Sequence, residues 1–136
     1  MTVVERIEEP GFTYWTGDDG ILRLRFVPGT DLNLEIVKRC VEIGLEIFRE
    51  RPQPLLVHFD EIRGLSREAR SFGSAADPGM PSPTAVGIVV RSPIGRVIGA
   101  MFIALLKKQP YPARVFPSEE TAAAWLRAFE HDPEKV

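Results

Sequence analysis

Two short apolar runs, at residues 55–59 and 85–90, constrain the fold more than any other feature of the sequence. Neither run shows the alternation of a half-exposed strand, and such continuous runs are typical of strands buried on both faces. Ser66 follows the first run and Ser92-Pro93 follows the second. Serine at the N-cap and proline at the first helical position are typical helix starts. This pattern predicts parallel strands joined by helical crossovers.

The sequence before the first run predicts a β-hairpin. Residues 12–16 are aromatic and β-branched, residues 22–26 alternate between apolar side chains and arginine, and the turn at 17–20 between them reads Gly-Asp-Asp-Gly. Asp-Gly turns between alternating segments are typical of hairpins. The alternation places Arg23 and Arg25 on the solvent-exposed face of the second strand.

The rest of the chain completes an alternating pattern. A helix is predicted over residues 32–51, with Thr30 or Asp31 as its N-cap and Cys40 on its apolar side. The further predicted elements are a helix from Ser66, a helix over 94–108, a strand over 114–116 and a helix over 121–130. The order β-β-α-β-α-β-α-β-α predicts an α/β fold with an N-terminal hairpin, a small mixed sheet and mostly parallel strands.

Composition narrows the classes of function. The chain has 136 residues, enough for one ordinary domain. We place that domain at residues 12–130, between a lead-in at 1–11 and a tail at 131–136. A net charge of −2 gives no general attraction to nucleic acid. One cysteine and two histidines predict neither an internal disulfide nor a histidine-rich metal site.

Two further features bear on location. The first ten residues contain acids and no apolar core, which differs from a signal peptide. The longest apolar stretch, at 94–106, is shorter than the roughly 20 residues that a membrane-spanning helix needs. Together with a free cysteine, these features predict a cytoplasmic protein without a transmembrane segment.

Motifs along most of the chain carry a resemblance to a known family. They are Trp15 with Asp19-Gly20-Ile21-Leu22 and Pro28-Gly29; Pro54-Leu55-Leu56 with Asp60; Leu65-Ser66-Arg67-Glu68-Ala69-Arg70; Ser92-Pro93-Ile94-Gly95-Arg96; Tyr111-Pro112 with Arg114 and Phe116; and Ser118-Glu119-Glu120 with Ala123, Trp125 and Leu126. Over residues 12–129 the chain is similar to small, uncharacterised bacterial members of the STAS domain family, which also occurs in sulfate transporters and anti-sigma-factor antagonists. The resemblance implies a SpoIIAA-like β-α superhelix and a role in binding rather than catalysis.

The resemblance also implies a place for a regulatory serine. Antagonists of the family carry an Asp-Ser-Ser-Gly-like motif at the start of the helix after the third strand, where a serine is phosphorylated. Here the sequence at that place is Gly64-Leu65-Ser66, so Ser66 is the one candidate. A phosphate at a helix N-cap is favoured by the helix dipole. The alternative is that Ser66 is a plain N-cap.

Arginines and serines follow both predicted parallel strands. Because the carboxyl ends of adjacent parallel strands open on the same edge of a sheet, we expect these side chains to converge there. Helix N-termini and planar guanidinium groups both favour phosphate or carboxylate. The sequence therefore predicts a recognition edge for an anionic or phosphorylated group, and the alternative is a set of solvated surface ion pairs. The predicted edge consists of Arg63, Ser66, Arg67, Arg91, Ser92 and Arg96.

The stretch at 94–106 is apolar nearly all round, which predicts that it is buried within the domain or by a partner. A homodimer is one expectation. A carrier or sensor of a small apolar or lipid-like ligand is the alternative function. Either reading assigns the contact surface to Ile94, Ile98, Met101, Phe102 and Leu105.

Catalytic motifs are missing from the sequence. His58 and Asp60 are predicted on one side of a strand, but no nucleophile accompanies them. Cys40 is predicted to be a core thiol. The sequence therefore predicts no catalytic residue, no metal and no cofactor. The predicted function is a non-enzymatic binding or regulatory module that acts through protein–protein contacts.

Overall fold

The structure is a computed structural model that describes residues 5–59, 62–74, 80–106 and 111–129. Strands and helices alternate after an N-terminal hairpin, as predicted. The elements are β1 (Ile7–Glu9), β2 (Phe12–Thr16), β3 (Leu22–Phe26), β4 (Asp31–Leu32), α1 (Leu34–Glu50), β5 (Leu55–His58), β6 (Gly64–Leu65), α2 (Arg67–Ser74), β7 (Val86–Val89), α3 (Pro93–Leu106), β8 (Ala113–Phe116) and α4 (Glu119–Leu126), with a short 3-10 helix at Arg127–Phe129.

A six-stranded sheet with the order β1-β2-β3-β5-β7-β8 forms the centre of the molecule. β1, β2 and β3 are joined by antiparallel pairing, and the pairs β3–β5, β5–β7 and β7–β8 are parallel. The predicted α/β fold with an N-terminal hairpin and mostly parallel strands is therefore confirmed. The predicted lead-in contains a strand, because Ile7–Glu9 pairs with Phe12–Thr16 at the edge of the sheet.

A second, two-stranded sheet lies beyond the carboxyl ends of β3 and β5. β4 and β6 are parallel, with Asp31 opposite Gly64 and Leu32 opposite Leu65. This pairing corrects the predicted start of α1. Residues 31 and 32 are held as a strand, so the helix begins at Leu34, and Asn33 is its N-cap in place of Thr30 or Asp31.

Alternation along the strands divides the core into two clusters, one on each face of the sheet. The first cluster joins alternate residues of β2, β3, β5 and β7 to the apolar side of α1. It includes Tyr14, Phe48 and Cys40, and the buried Cys40 confirms the predicted core thiol. The second cluster joins Leu56 and Val89 to α4, with Trp125 and Phe129 partly buried against it.

Close packing of α4 depends on a glycine in β7. A Cβ atom at Gly87 would lie 3.2 Å from Leu126 Cδ1 and 3.5 Å from Ala122 Cβ. α4 packs on β5, β7 and β8, which places its first residue, Glu119, over the sheet. No helix within the described ranges is both long enough and apolar enough to cross a membrane.

Candidate functional site

The carboxyl edge of the sheet brings together the segments predicted to bind an anion. β5 and β7 are adjacent and parallel, with His58 opposite Val89 in the register. The chain after each strand therefore leaves the sheet at the same edge, where ligands bind in open α/β sheets. The amide of Arg63 donates to the Thr30 carbonyl at 3.0 Å, and the amide of Ser66 donates to the Leu32 carbonyl at 2.9 Å.

Both serines of the predicted edge begin helices. Ser66 Oγ accepts a hydrogen bond from the Ala69 amide at 3.1 Å, so the predicted N-cap of α2 is confirmed. The Ser92 carbonyl accepts from the Arg96 amide at 3.0 Å, and Pro93 is the first residue of α3 as predicted. Both helix N-termini therefore lie in segments that leave the sheet at its carboxyl edge, where the positive ends of the helix dipoles favour an anion.

The four arginines of this edge are exposed to solvent: Arg63, Arg67, Arg91 and Arg96. None of the ion pairs among the described residues includes Arg63, Arg67 or Arg96. Three guanidinium groups are therefore not committed to a described carboxylate. The acids next to this segment, Asp60 and Glu61, lie outside the described residues.

The predicted apolar surface lies in α3, but its side chains are outside the described part of the structure. These are the side chains of Ile94, Ile98, Met101, Phe102 and Leu105. On the same helix Val97 is 62% exposed. Gly99 lies against the sheet, because a Cβ atom there would be 3.1 Å from Val90 Cγ2. The predictions of a dimer surface and of an apolar ligand site both stay predictions.

A buried arginine forms a cluster that the sequence analysis missed. The prediction that Arg23 lies on a solvent-exposed face is wrong, since its residue is 7% exposed on the face that α4 covers. Nη1 and Nη2 donate to the two carboxylate oxygens of Asp19 at 2.7 and 2.8 Å. Nε donates to Glu119 Oε1 at 2.5 Å. One guanidinium thus links the β2–β3 turn to the first residue of α4.

The charges in this cluster stabilise one another. Hydrogen bonds from Arg23 lower the pKa of Asp19, and the same bonds raise the pKa of Arg23 above its ordinary value. The Ile21 amide also donates to Asp19 Oδ1 at 3.1 Å, which fixes the carboxylate in the turn. The only sequence sign of this cluster is the four-residue spacing of Asp19 and Arg23; nothing in the spacing identifies Glu119, which lies 96 positions from Arg23.

His58 and Trp15 flank this cluster on the same face of the sheet. His58 Nε2 lies 3.8 Å from Glu119 Oε1. The His58 and Trp15 rings are parallel within 4°, with centroids 6.5 Å apart. The Arg6 guanidinium lies over the Trp15 ring, 5.6 Å from its centroid. The predicted pair of His58 with Asp60 falls outside the described residues, and the described carboxylate near His58 is that of Glu119.

Two features of the described residues bear on their reactivity. Over the described ranges no cluster of three or more His, Cys, Asp or Glu residues is arranged to hold a metal ion. Burial raises the pKa of the Cys40 thiol to about 12. A thiol with so high a pKa is almost entirely protonated near neutral pH and is a weak nucleophile.

Comparison with solved structures defines the class of fold. The chain is similar to an uncharacterised protein of the DUF3478 family with a SpoIIAA-like fold from Shewanella loihica PV-4, with a TM-score of 0.61 and 16% identity over 93% of this chain and 98% of that one. A protein with unknown function from Arthrobacter sp. FB24 is 26% identical over 90% of this chain and 96% of that one, with a TM-score of 0.33. The molecule therefore has an α/β fold of the SpoIIAA-like kind.

The family is established by sequence. Residues 14–130 match the family described as a domain of unknown function, DUF7793, and the chain belongs to it. A comparison with curated proteins gives no match. The predicted resemblance to STAS domains is supported in its fold, and membership of the STAS family itself stays a prediction.

Proposed function

We propose that the protein is a cytoplasmic, non-enzymatic binding and regulatory module of the STAS type. It recognises an anionic or phosphorylated group on a partner protein at the carboxyl edge of its sheet. One observation carries the proposal: the adjacent parallel strands β5 and β7 are followed, at one edge, by two serine-started helices and by exposed arginines.

The physical argument rests on two sources of positive potential. The N-termini of α2 and α3 present the positive ends of helix dipoles. Arg63, Arg67 and Arg96 add guanidinium groups whose paired N–H donors match carboxylate and phosphate oxygens. An incoming anion would meet both at once, and it would displace no described carboxylate from these three guanidinium groups.

Ser66 fits the same proposal as a regulatory position. Its hydroxyl caps α2, and Arg67 is the next residue. A phosphate on Ser66 would add negative charge at the helix N-terminus, where the dipole favours it. It would also compete with a partner's anion for the same arginines, which would make binding dependent on modification.

Calorimetric titration with O-phosphoserine and inorganic phosphate tests the proposal. We expect the wild type to bind these probes and the Arg67→Ala/Arg91→Ala variant to bind at least about tenfold more weakly, because two cationic donors are lost. Arg49→Ala is the matched control, since Arg49 is an exposed arginine in the last turn of α1. Absence of binding by the wild type, or equal affinities in all three proteins, would refute the proposed site.

A further inference from the structure

The described residues cover the second face of the sheet only in part. α4 packs on β5, β7 and β8. The strands β1, β2 and β3 lie on the other side of this face, away from the centre of α4. Thr13, Trp15 and Arg25 alternate with residues of the first core cluster along β2 and β3, so they point to the second face. Arg25 is exposed and Trp15 is half-buried.

Two side chains lie beside the Trp15 ring. The Arg6 guanidinium lies over its ring at 5.6 Å, and the His58 ring is parallel to it with centroids 6.5 Å apart. Tryptophan and arginine are among the residue types that most often dominate the binding energy of protein interfaces. An aromatic side chain that is already ordered loses little conformational entropy when a partner covers it.

The charges beside Trp15 favour an acidic partner. Arg25 lies between Thr13 on β2 and His58 on β5 in the register, and no ion pair among the described residues includes it. Arg6 pairs with Glu8 at 3.3 Å, but both side chains are well exposed, at 65% and 71%, and such pairs contribute little. Asp19 and Glu119 are bound by Arg23. On this part of the face the exposed arginines Arg6 and Arg25 outnumber the one exposed carboxylate that Arg23 does not bind, Glu8.

We propose that Arg6, Trp15 and Arg25 form a docking surface, the tryptophan strip, for an acidic segment of a partner protein. Continuing the register of β1 by one residue places Arg6 beside Trp15. Ordinary spacing between and along strands then puts the Cα atoms of Arg6 and Arg25 about 12 Å from each other. Two carboxylates of an extended segment, separated by four positions, span that distance. The side chain midway between the two carboxylates, on the same face of the segment, is apolar and packs on Trp15. This surface does not depend on the recognition edge at the carboxyl ends of β5 and β7, which we call the arginine edge after Arg63, Arg67, Arg91 and Arg96.

Fluorescence of Trp15 tests the tryptophan strip. Trp125→Phe leaves Trp15 as the single tryptophan of a chain that has two. The probe is a short synthetic peptide with the sequence Glu-Ser-Val-Ser-Glu, in which the two glutamates and the valine between them share one face, and the same peptide with lysine in place of glutamate is its control. We expect a saturable change in Trp15 emission with the glutamate peptide, weaker at high salt, and none with the lysine peptide.

Three charge variants, made in the Trp125→Phe background, separate this surface from the arginine edge. Arg25→Glu is expected to lower the affinity for the glutamate peptide by about tenfold or more, and Arg25→Gln is expected to lower it by less. Arg67→Glu is expected to leave this affinity unchanged. Circular dichroism verifies that each variant is folded. The proposal is overturned if Trp15 emission does not respond, if Arg25→Glu binds as well as its parent, or if anionic phosphatidylserine vesicles bind while the peptide does not. A loss in Arg67→Glu alone would assign the peptide to the arginine edge.

Discussion

At the scale of single residues, Arg23 joins parts of the chain that are far apart in sequence. Its guanidinium donates to Asp19 in the β2–β3 turn and to Glu119 at the start of α4. Gly17 makes room for it, because a Cβ atom there would lie 2.1 Å from Arg23 Nη1. The hydrogen bonds to Asp19 and the Ile21 carbonyl hold this end of the side chain in place. Arg23 therefore joins the β2–β3 turn to α4 inside the protein, and its guanidinium is not available to a ligand.

Replacement of Arg23 is expected to destabilise the fold. Arg23→Met keeps much of the side-chain volume but leaves the Asp19 and Glu119 carboxylates without their donor. We expect a loss of about 2–3 kcal/mol in the free energy of unfolding, measured by urea denaturation. The matched control is Arg25→Met on the same strand, which is exposed and is expected to change stability by about 0.5 kcal/mol or less. Similar effects of both substitutions would contradict the assigned role of Arg23.

The same cluster predicts a pH dependence of stability. The pKa of Asp19 is lower in the folded chain, chiefly because Arg23 donates hydrogen bonds to it. A carboxylate of this kind contributes its full stabilisation above its unfolded pKa, about 3.9, and loses it as the pH falls through the lower folded value. We therefore expect wild type and Asp19→Asn to differ most in urea midpoint near pH 7, and the difference to shrink as the pH falls below about 4. A difference that grows toward low pH would show that the assignment is wrong.

At the scale of elements, the long periodic segments could be predicted and the short ones could not. α1 and the buried strands β5 and β7 have enough residues for their apolar pattern to decide between helix and strand. β1, β4 and β6 have two or three residues each, too few to show a period. β4 and β6 pair with each other across a long stretch of sequence, so tertiary pairing forms them, and β1 is defined by its pairing with β2 through the turn at residues 10–11.

The candidate sites divide in a similar way. The arginine edge could be predicted, since it depends only on which strands are parallel and on the residues that come directly after them in the sequence. The Arg23 cluster could not, because alternation assigns an arginine between two leucines to solvent. Burial of Arg23 depends on Glu119, which α4 carries over the sheet, and no local pattern reports that contact. The stacking of Trp15 and His58 could not be predicted either. Their strands, β2 and β5, lie on the two sides of β3, and only the sheet order shows this arrangement.

Docking of α4 is sensitive to the size of the residue at position 87. Gly87→Ala would place a methyl group 3.2 Å from Leu126 Cδ1, so α4 must shift away from β7. We expect a loss of about 1–2 kcal/mol from this overpacking, measured by urea denaturation. Gly64→Ala is the control, because its Cβ atom would meet only Asp31 Oδ1, at an ordinary 3.7 Å. Equal stabilities of the two variants would contradict the tight packing of α4 on β7.

At the scale of the whole molecule, the sheet separates surfaces with different chemistry. The first face is packed against α1, and the second carries α4 and the tryptophan strip. The arginine edge lies at the carboxyl ends of the parallel strands. This division suits a binding module, since the packed clusters fix the sheet while its edge and its uncovered side remain accessible to partners.

Self-association through α3 is a proposal at this scale. Val97 on α3 is 62% exposed although the helix is largely apolar. If α3 forms the dimer interface, light scattering should give the wild type a mass of 30.4 kDa, twice the 15.2 kDa chain, and Val97→Asp should be a monomer. Val27→Asp, at a 46% exposed valine of the β3–β4 turn, should remain a dimer. A wild type that is monomeric at every concentration would exclude this interface.

The measurement that tests the central claim most directly is an amide NMR titration of the wild type with O-phosphoserine. Binding at the carboxyl edge predicts that the largest shifts cluster at the starts of α2 and α3, in the amides of Arg67 and Glu68 and of Ile94 and Gly95, and that Arg67→Ala/Arg91→Ala abolishes them. Shifts confined to other parts of the sheet, or a spectrum that does not change at saturating ligand, would contradict the proposed recognition edge.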